Sequence, residues 1–187
     1  GALPYLLPQL NVPVYSTKLT RGLISVKLKE GKAFAGAKLK LLSPREKIVL
    51  GNFKMEAFPV CHSIPDAVGL IIHTPIGIIV HSGDFKLDYT PVDGRPTDLS
   101  RLAQLGTLGI LLLLSDSTYA ELPGYTPSER VVGETLERII AQAPGRVIVT
   151  TFSSLISRIQ QIIDAAAKHQ RRVCIVGRSM SETVRIA

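Results

Sequence analysis

The chain has 187 residues, 45% hydrophobic and 20% charged, with a formal net charge of +7. That balance excludes a disordered chain and describes a globular one, either one domain or pieces of two. Apolar runs such as residues 110–114 are far too short to span a bilayer, and no basic-then-apolar leader marks export, so a cytoplasmic setting is expected.

The opening residues, Gly1-Ala2-Leu3-Pro4-Tyr5, are apolar without a polar lead-in, as if the chain were cut within a domain. A short strand over 12–16 and a helix over about 17–30 follow. Strands are expected at 38–42, 47–50 and 53–58, with Gly51-Asn52 as a two-residue hairpin turn between the last two. A second hairpin pairs 68–73 with 76–81 around Pro75-Ile76-Gly77. A helix near 99–105 precedes a buried strand at 110–114, which ends in Ser115-Asp116-Ser117-Thr118.

From Thr126 the pattern becomes alternating strand and helix. Thr126 is placed to cap a helix, Pro127 to fill its first position and Glu129 to complete a capping box. Val132, Leu136, Ile139, Ile140 and Ala143 line one face of that helix. A strand at 146–150, a helix at 155–169 with Ile156, Ile159, Ile163 and Ala166 inward, and a strand at 172–176 follow. The last seven residues read as the first turns of another helix. The fold class is α/β: a hairpin-rich layer to about residue 120, then an incomplete parallel α/β unit. Cys61 and Cys174 both fall in apolar strand patterns and are expected to be buried, inert thiols; Cys61 also stands beside His62.

Two places carry chemistry. His62 follows the strand that ends near Val60, and Asp84 follows the strand that ends at His81. Imidazole suits zinc and a carboxylate bridges metals, so strand ends that converge on one sheet edge make a metal site. A lone strand histidine also serves structure, and Gly83-Asp84 also makes a turn. His81 is a weaker ligand candidate, better suited to hydrogen-bonding around the site, and Asp116 by itself reads as a turn residue that ends its strand. The second place is Thr150-Thr151-Phe152-Ser153-Ser154, where a strand meets a helix start. Free N–H groups there favour an anion, with Ser153 and Ser154 as added donors and Arg178-Ser179 at the same edge; N-capping by the serines is the alternative. The basic residues Lys18, Arg21, Lys27, Lys29, Lys38, Lys40, Lys168, Arg171 and Arg172 suit a phosphate backbone, as they also suit solvated faces.

The segments 59–66, 81–86, 90–94, 114–118, 124–129 and 177–180 resemble ribonuclease J, a family of metallo-β-lactamase-fold nucleases with a β-CASP domain. The resemblance runs in order over essentially the whole chain. It implies a metallo-β-lactamase-like domain over 1–122 that lacks its N-terminal part, and the start of a β-CASP domain over 123–187. It further implies zinc-dependent hydrolysis of RNA, internally and from the 5′ end, by two metals about 4 Å apart. His62 would hold one zinc, Asp84 would bridge both, and Asp116 and His81 would orient ligands. The family's remaining ligands, a His-x-His-x-Asp-His motif ahead of the Gly-Ala-Leu-Pro-Tyr-like start and a late histidine, are not in this chain. The resemblance places RNA phosphate at Ser153, Ser154, Leu155, Arg178 and Ser179. Family members usually carry asparagine where Leu155 stands and histidine where Ser157 stands, which removes an amide and an imidazole. RNA is the implied partner, a homo-oligomer (dimer or tetramer) the implied state, and no membrane is involved. The alternatives are a metallo-β-lactamase-fold hydrolase of a small ester or thioester, and a metal-free RNA-binding module.

Overall fold

The computed structural model describes residues 2–30 and 36–187, so Gly1 lies outside it. The molecule is α/β, built on a five-stranded sheet, whose strands lie in chain order, and a separate two-stranded sheet.

A one-turn helix α1 (Leu3–Leu6), with proline in its first turn, opens the chain where no element was expected. Strands β1 (Val14–Ser16) and β2 (Leu39–Leu41) pair in parallel, which requires a crossover; helix α2 (Lys18–Glu30) lies within it. The start of α2 is held from a distance. Asp66 takes hydrogen bonds at 2.9 Å from both the Thr17 hydroxyl and the Leu19 N–H. It thereby ties the loop after His62 to this helix.

Strands β3 (Lys47–Leu50), β4 (Phe53–Pro59), β5 (Val68–Thr74) and β6 (Gly77–His81) form an antiparallel meander. Gly51 at the β3–β4 turn has φ 60° while Asn52 stays on the negative side, as a type II′ turn requires. One face of the meander is covered by α3 (Leu99–Leu108): Leu105 meets Phe58, Val60, Ile71 and Val80, with Leu102, Ile78, Ala67 and Phe85 at the margin. The Phe58 ring crosses directly over Gly69, where a Cβ would come within 2.3 Å of it, so only glycine fits there. A buried carboxylate, Glu56 on β4, pairs with both forks of Arg101 on α3 at 2.8 Å. This fixes how the helix sits on the sheet.

Strand β7 (Leu112–Leu114) pairs in parallel with β6, so it is a short edge strand rather than the buried strand expected at 110–114. Its three leucines are all exposed, because it has one neighbour and no described element covers it. Helix α4 (Glu129–Gln142) is capped by Ser128, whose hydroxyl accepts from the Arg130 N–H. The expected Thr126 cap and capping box are not made, because Glu129 turns away to pair with Arg158. Ile140 is buried as expected, but Ile139 is half exposed. Helix α5 (Ile156–Lys168) packs on α4 through Ile156, Ile159 and Ala166, and α6 (Arg178–Ile186) returns to α2, where Ile186 sits against Gly22.

Residues 146–150 and 172–176 do not form the expected strands. A strand exists only by pairing, and neither segment pairs with any described residue. Arg171 instead donates to the carbonyls of Ala143 and Gly145, joining the two segments at their bases. Cys174, expected to be buried, is exposed as a result, while Cys61 is half-buried; both are free. Among the described residues no helix is long and apolar enough to cross a membrane.

Candidate functional site

β4 and β6 run in the same direction on either side of β5 and end at the same edge of the sheet. The chain leaving β4 bridges Cys61 to Lys86, with Lys86 N–H donating to the Cys61 carbonyl at 2.7 Å. This brings His62 beside the turn after β6, and His62 Nε2 stands 3.8 Å from Asp84 Oδ2. The imidazole is about a third exposed and the carboxylate 82% exposed, so the pair faces solvent rather than the core.

The turn that presents Asp84 is held on both sides. Gly83 has φ 64°, and a Cβ there would lie 2.7 Å from the Val68 carbonyl, so glycine is required. His81 Nδ1 accepts from the Gly83 N–H at 3.0 Å, which leaves the proton of a neutral ring on Nε2. On the other side the Ser82 hydroxyl accepts from the Asp116 N–H at 2.8 Å, and Asp116 Oδ2 accepts from the Phe85 N–H at 3.4 Å. Asp116 Oδ1 takes the N–H and hydroxyl of Thr118 at 2.9 and 2.7 Å. These bonds, with the nearby His62, hold the Asp116 carboxyl below the usual carboxylate range. Burial, reinforced by Asp88 and Asp93, pushes the Cys61 thiol up, so it is a neutral thiol at pH 7.

The pair opens into a cleft of about 890 Å³ whose far wall comes from α4 and α5. One buried carboxylate joins the walls. Asp88 accepts from the Thr90 N–H and from the Glu129 N–H at the start of α4, both at 3.0 Å, with Lys86 Nζ at 3.7 Å. Burial alone would raise its pKa. The two N–H groups, the Ser128 hydroxyl and Lys86 outweigh that and hold it below the usual range. Ser128 adds a hydroxyl pairing with Thr90 at 3.1 Å, and Glu129 binds Arg158 of α5 through two bonds of 2.6 and 3.0 Å. Nothing in the sequence singles out Asp88, whose partner lies 41 residues away.

The comparisons with known proteins bear on this arrangement. Residues 144–187 match the sequence family described as ribonuclease J, beta-CASP domain. A ribonuclease J from Thermus thermophilus is 51% identical over 194 aligned residues, covering 100% of this chain and 34% of that protein. One from Synechocystis is 46% identical over 98% of this chain and 29% of its own length, and one from Helicobacter pylori 44% over 100% and 27%. The chain belongs to the ribonuclease J family. It spans about a third of the length of these curated relatives. A crystal structure of a protein of unknown function from Enterococcus faecalis superposes with a TM-score of 0.64 at 22% identity, over 82% of this chain and 39% of that one, a likeness of fold.

In this chain His62 and Asp84 are residue types that suit a metal. One imidazole nitrogen and one carboxylate oxygen lie close enough to share an ion at ordinary bond lengths of about 2.0–2.2 Å each. Among the described residues no third histidine, cysteine or acid joins them in a ligand cluster. The second edge is built differently from the alternative of serine caps. Leu155 is the N-cap of α5 and gives no side-chain cap, so the first N–H groups of that helix are left open. Leu155 and Ser157 line the cleft. Ser153 and Ser179 lie hydroxyl to hydroxyl at 2.9 Å, Ser154 is exposed, and Arg178 reaches Glu182 one turn along its own helix at 3.4 Å.

Proposed function

We propose that this chain carries part of the active centre of a metal-dependent ribonuclease that hydrolyses RNA from the 5′ end and internally. The observation that carries the reading is the His62–Asp84 pair at the mouth of the cleft, in a chain that aligns over its whole length with proteins named ribonuclease J.

Charge supports the same reading. The cleft is lined by five carboxylates, Asp84, Asp88, Asp93, Asp116 and Glu129, against the two cations Lys86 and Arg158. That formal charge of −3, with His62 neutral, sits inside a chain of +7. A phosphodiester entering such a cleft meets repulsion unless a cation intervenes. His62 and Asp84 would hold zinc, and the bound metal would supply the Lewis acidity that activates water and offsets phosphate charge. His81 and Asp116 then act by fixing the Gly83-Asp84 turn, so that the carboxylate is aimed before substrate arrives. The open N-terminus of α5 and the Ser153–Ser179 pair are placed to receive a phosphate of the same strand, with Arg178 nearby. Residues 1–122 would belong to the metal-binding part and 123–187 to the part that covers the substrate.

The test is a chimera in which this chain replaces the matching third of the Thermus thermophilus relative. Zinc per chain and cleavage of 5′-monophosphorylated RNA are compared for the unchanged chimera, His62→Ala and Asp84→Ala. Loss of both properties in both variants is expected, and cleavage that survives both changes refutes the assignment. The 187-residue chain alone, with two ligands, is expected to be inactive; robust zinc-dependent cleavage by it would overturn the ligand count.

A further inference from the structure

The acidic cleft holds none of the chain's positive excess, and one place where that excess gathers lies at the opposite end of the main sheet. There a groove of about 450 Å³ is lined by Lys47, Asn52, Lys54, Glu56, His73 and Thr74. The strand register sets its geometry. Lys54 faces His73 across β4 and β5, and Lys47 faces Glu56 across β3 and β4. All four project from the face that also carries Phe58 and Ile71, since they lie directly opposite those rows or two residues along. Facing partners bring their Cβ atoms within about 5 Å, and the diagonal pair Lys47 and Lys54 within about 7–8 Å, so both flexible ammonium groups reach one point above the sheet.

Glu56 is the one acid that lines the groove, and Arg101 already holds it through two bonds of 2.8 Å. The side chains of Lys47, Lys54 and His73 make no hydrogen bond or ion pair among the described residues. Two positive charges therefore stand side by side without an acid, an arrangement that repels itself and adds nothing to folding. From this we infer that the groove binds a phosphate group, of an RNA strand or of a small phosphate compound, at a position separate from the cleft. A tetrahedral oxyanion suits it better than a carboxylate. Its oxygens diverge, and so meet both ammonium groups, the Asn52 amide and a ring N–H of His73 at once. Lys54 lies roughly 17 Å before Pro59 at about 3.3 Å per residue of β4, and the chain turns towards His62 only beyond Pro59. The groove shares no residue with the cleft, so this site is independent of the ribonuclease reading.

Because the chain has four histidines, imidazole proton NMR reads His73 individually, with His73→Gln identifying its signals. Inorganic phosphate and a short oligoribonucleotide are each titrated in a phosphate-free buffer at fixed ionic strength. Phosphate is expected to move the His73 signals and to leave those of His62, His81 and His169 in place. Lys47→Gln and Lys54→Gln should each weaken that response about two- to fivefold, the scale of an exposed ion pair, and the double change should weaken it more than either. Circular dichroism should be unchanged throughout, as both lysines are exposed. An oligoribonucleotide that acts at lower concentration than phosphate, with a salt-dependence slope that the double change reduces by about 1.4, identifies the ligand as an RNA backbone. Phosphate acting at the lower concentration identifies a small phosphate compound instead. His73 signals that neither titrant moves, signals that move equally at all four histidines, or a response unaltered by the double change overturns the site. The ribonuclease reading stands in each of those cases, since its own test reads zinc and cleavage at His62 and Asp84.

Discussion

Asp88 offers the sharpest stability test, because one buried side chain joins the two walls of the cleft. In Asp88→Ala the N–H groups of Glu129 and Thr90 each lose a carboxylate acceptor at 3.0 Å, and α4 loses an acceptor at its start. A hydrogen bond to a charged group contributes about 1.5–3 kcal/mol, partly recovered if water reaches the opened site, so a loss of about 3 kcal/mol is expected. For a chain of this size that lowers Tm by about 6–12 °C. Urea and thermal unfolding, followed by circular dichroism and tyrosine emission, measure it. The sign with pH is also determined. The folded-state pKa of Asp88 is depressed, so its contribution is complete above the unfolded value of about 3.9 and fades as pH falls through the lower folded value. The gap between wild type and variant should therefore shrink in acid. A loss under about 0.5 kcal/mol at pH 7, or a gap that stays constant down to pH 3, refutes the clamp.

Gly83→Ala should cost about 3 kcal/mol, since φ 64° is combined with a backbone oxygen 2.7 Å from the new Cβ. Gly94→Ala, at φ 69° in open space, should cost only about 1 kcal/mol; equal losses in denaturant titration would contradict the steric argument. Glu56→Ala should lose about 2–3 kcal/mol, less than the usual cost of a broken buried pair because Arg101 keeps some access to water. The double change Glu56→Leu with Arg101→Met should recover most of that loss, and a double-mutant cycle showing simple additivity would count against coupling. Leu113→Lys on the open edge strand should lower aggregation in light scattering and leave Tm within about 1 °C; unchanged aggregation would mean that another surface drives association.

The meander was legible because its signals are local. Alternation along 53–58 and the short apolar run at 68–72, with Gly51-Asn52 as a turn between β3 and β4, specify strands and turns without reference to distant residues. His62 and Asp84 could be singled out for the same reason, as polar residues of ligand type at the ends of apolar strands. The misreadings share one cause. An apolar run such as 110–114, or 172–176 with Cys174, shows that a segment tolerates burial, but whether it is buried or paired depends on a neighbour elsewhere in the chain. The expected cap at Thr126 failed similarly, because Asp88 had already taken the Glu129 N–H and Arg158 its carboxylate.

By itself, then, the sequence determined the α/β class, the hairpins and the amphipathic face of α5, and it singled out His62 and Asp84, since each depends on residue type at short spacing. Only the tertiary structure decided that His62 and Asp84 stand 3.8 Å apart, that Asp88 ties the loop after β6 to the start of α4, and that three tyrosines line the same cleft. Those are juxtapositions across 20 to 40 residues or more, created when β4 and β6 end on one edge of the sheet and the loops beyond them are drawn onto the helices.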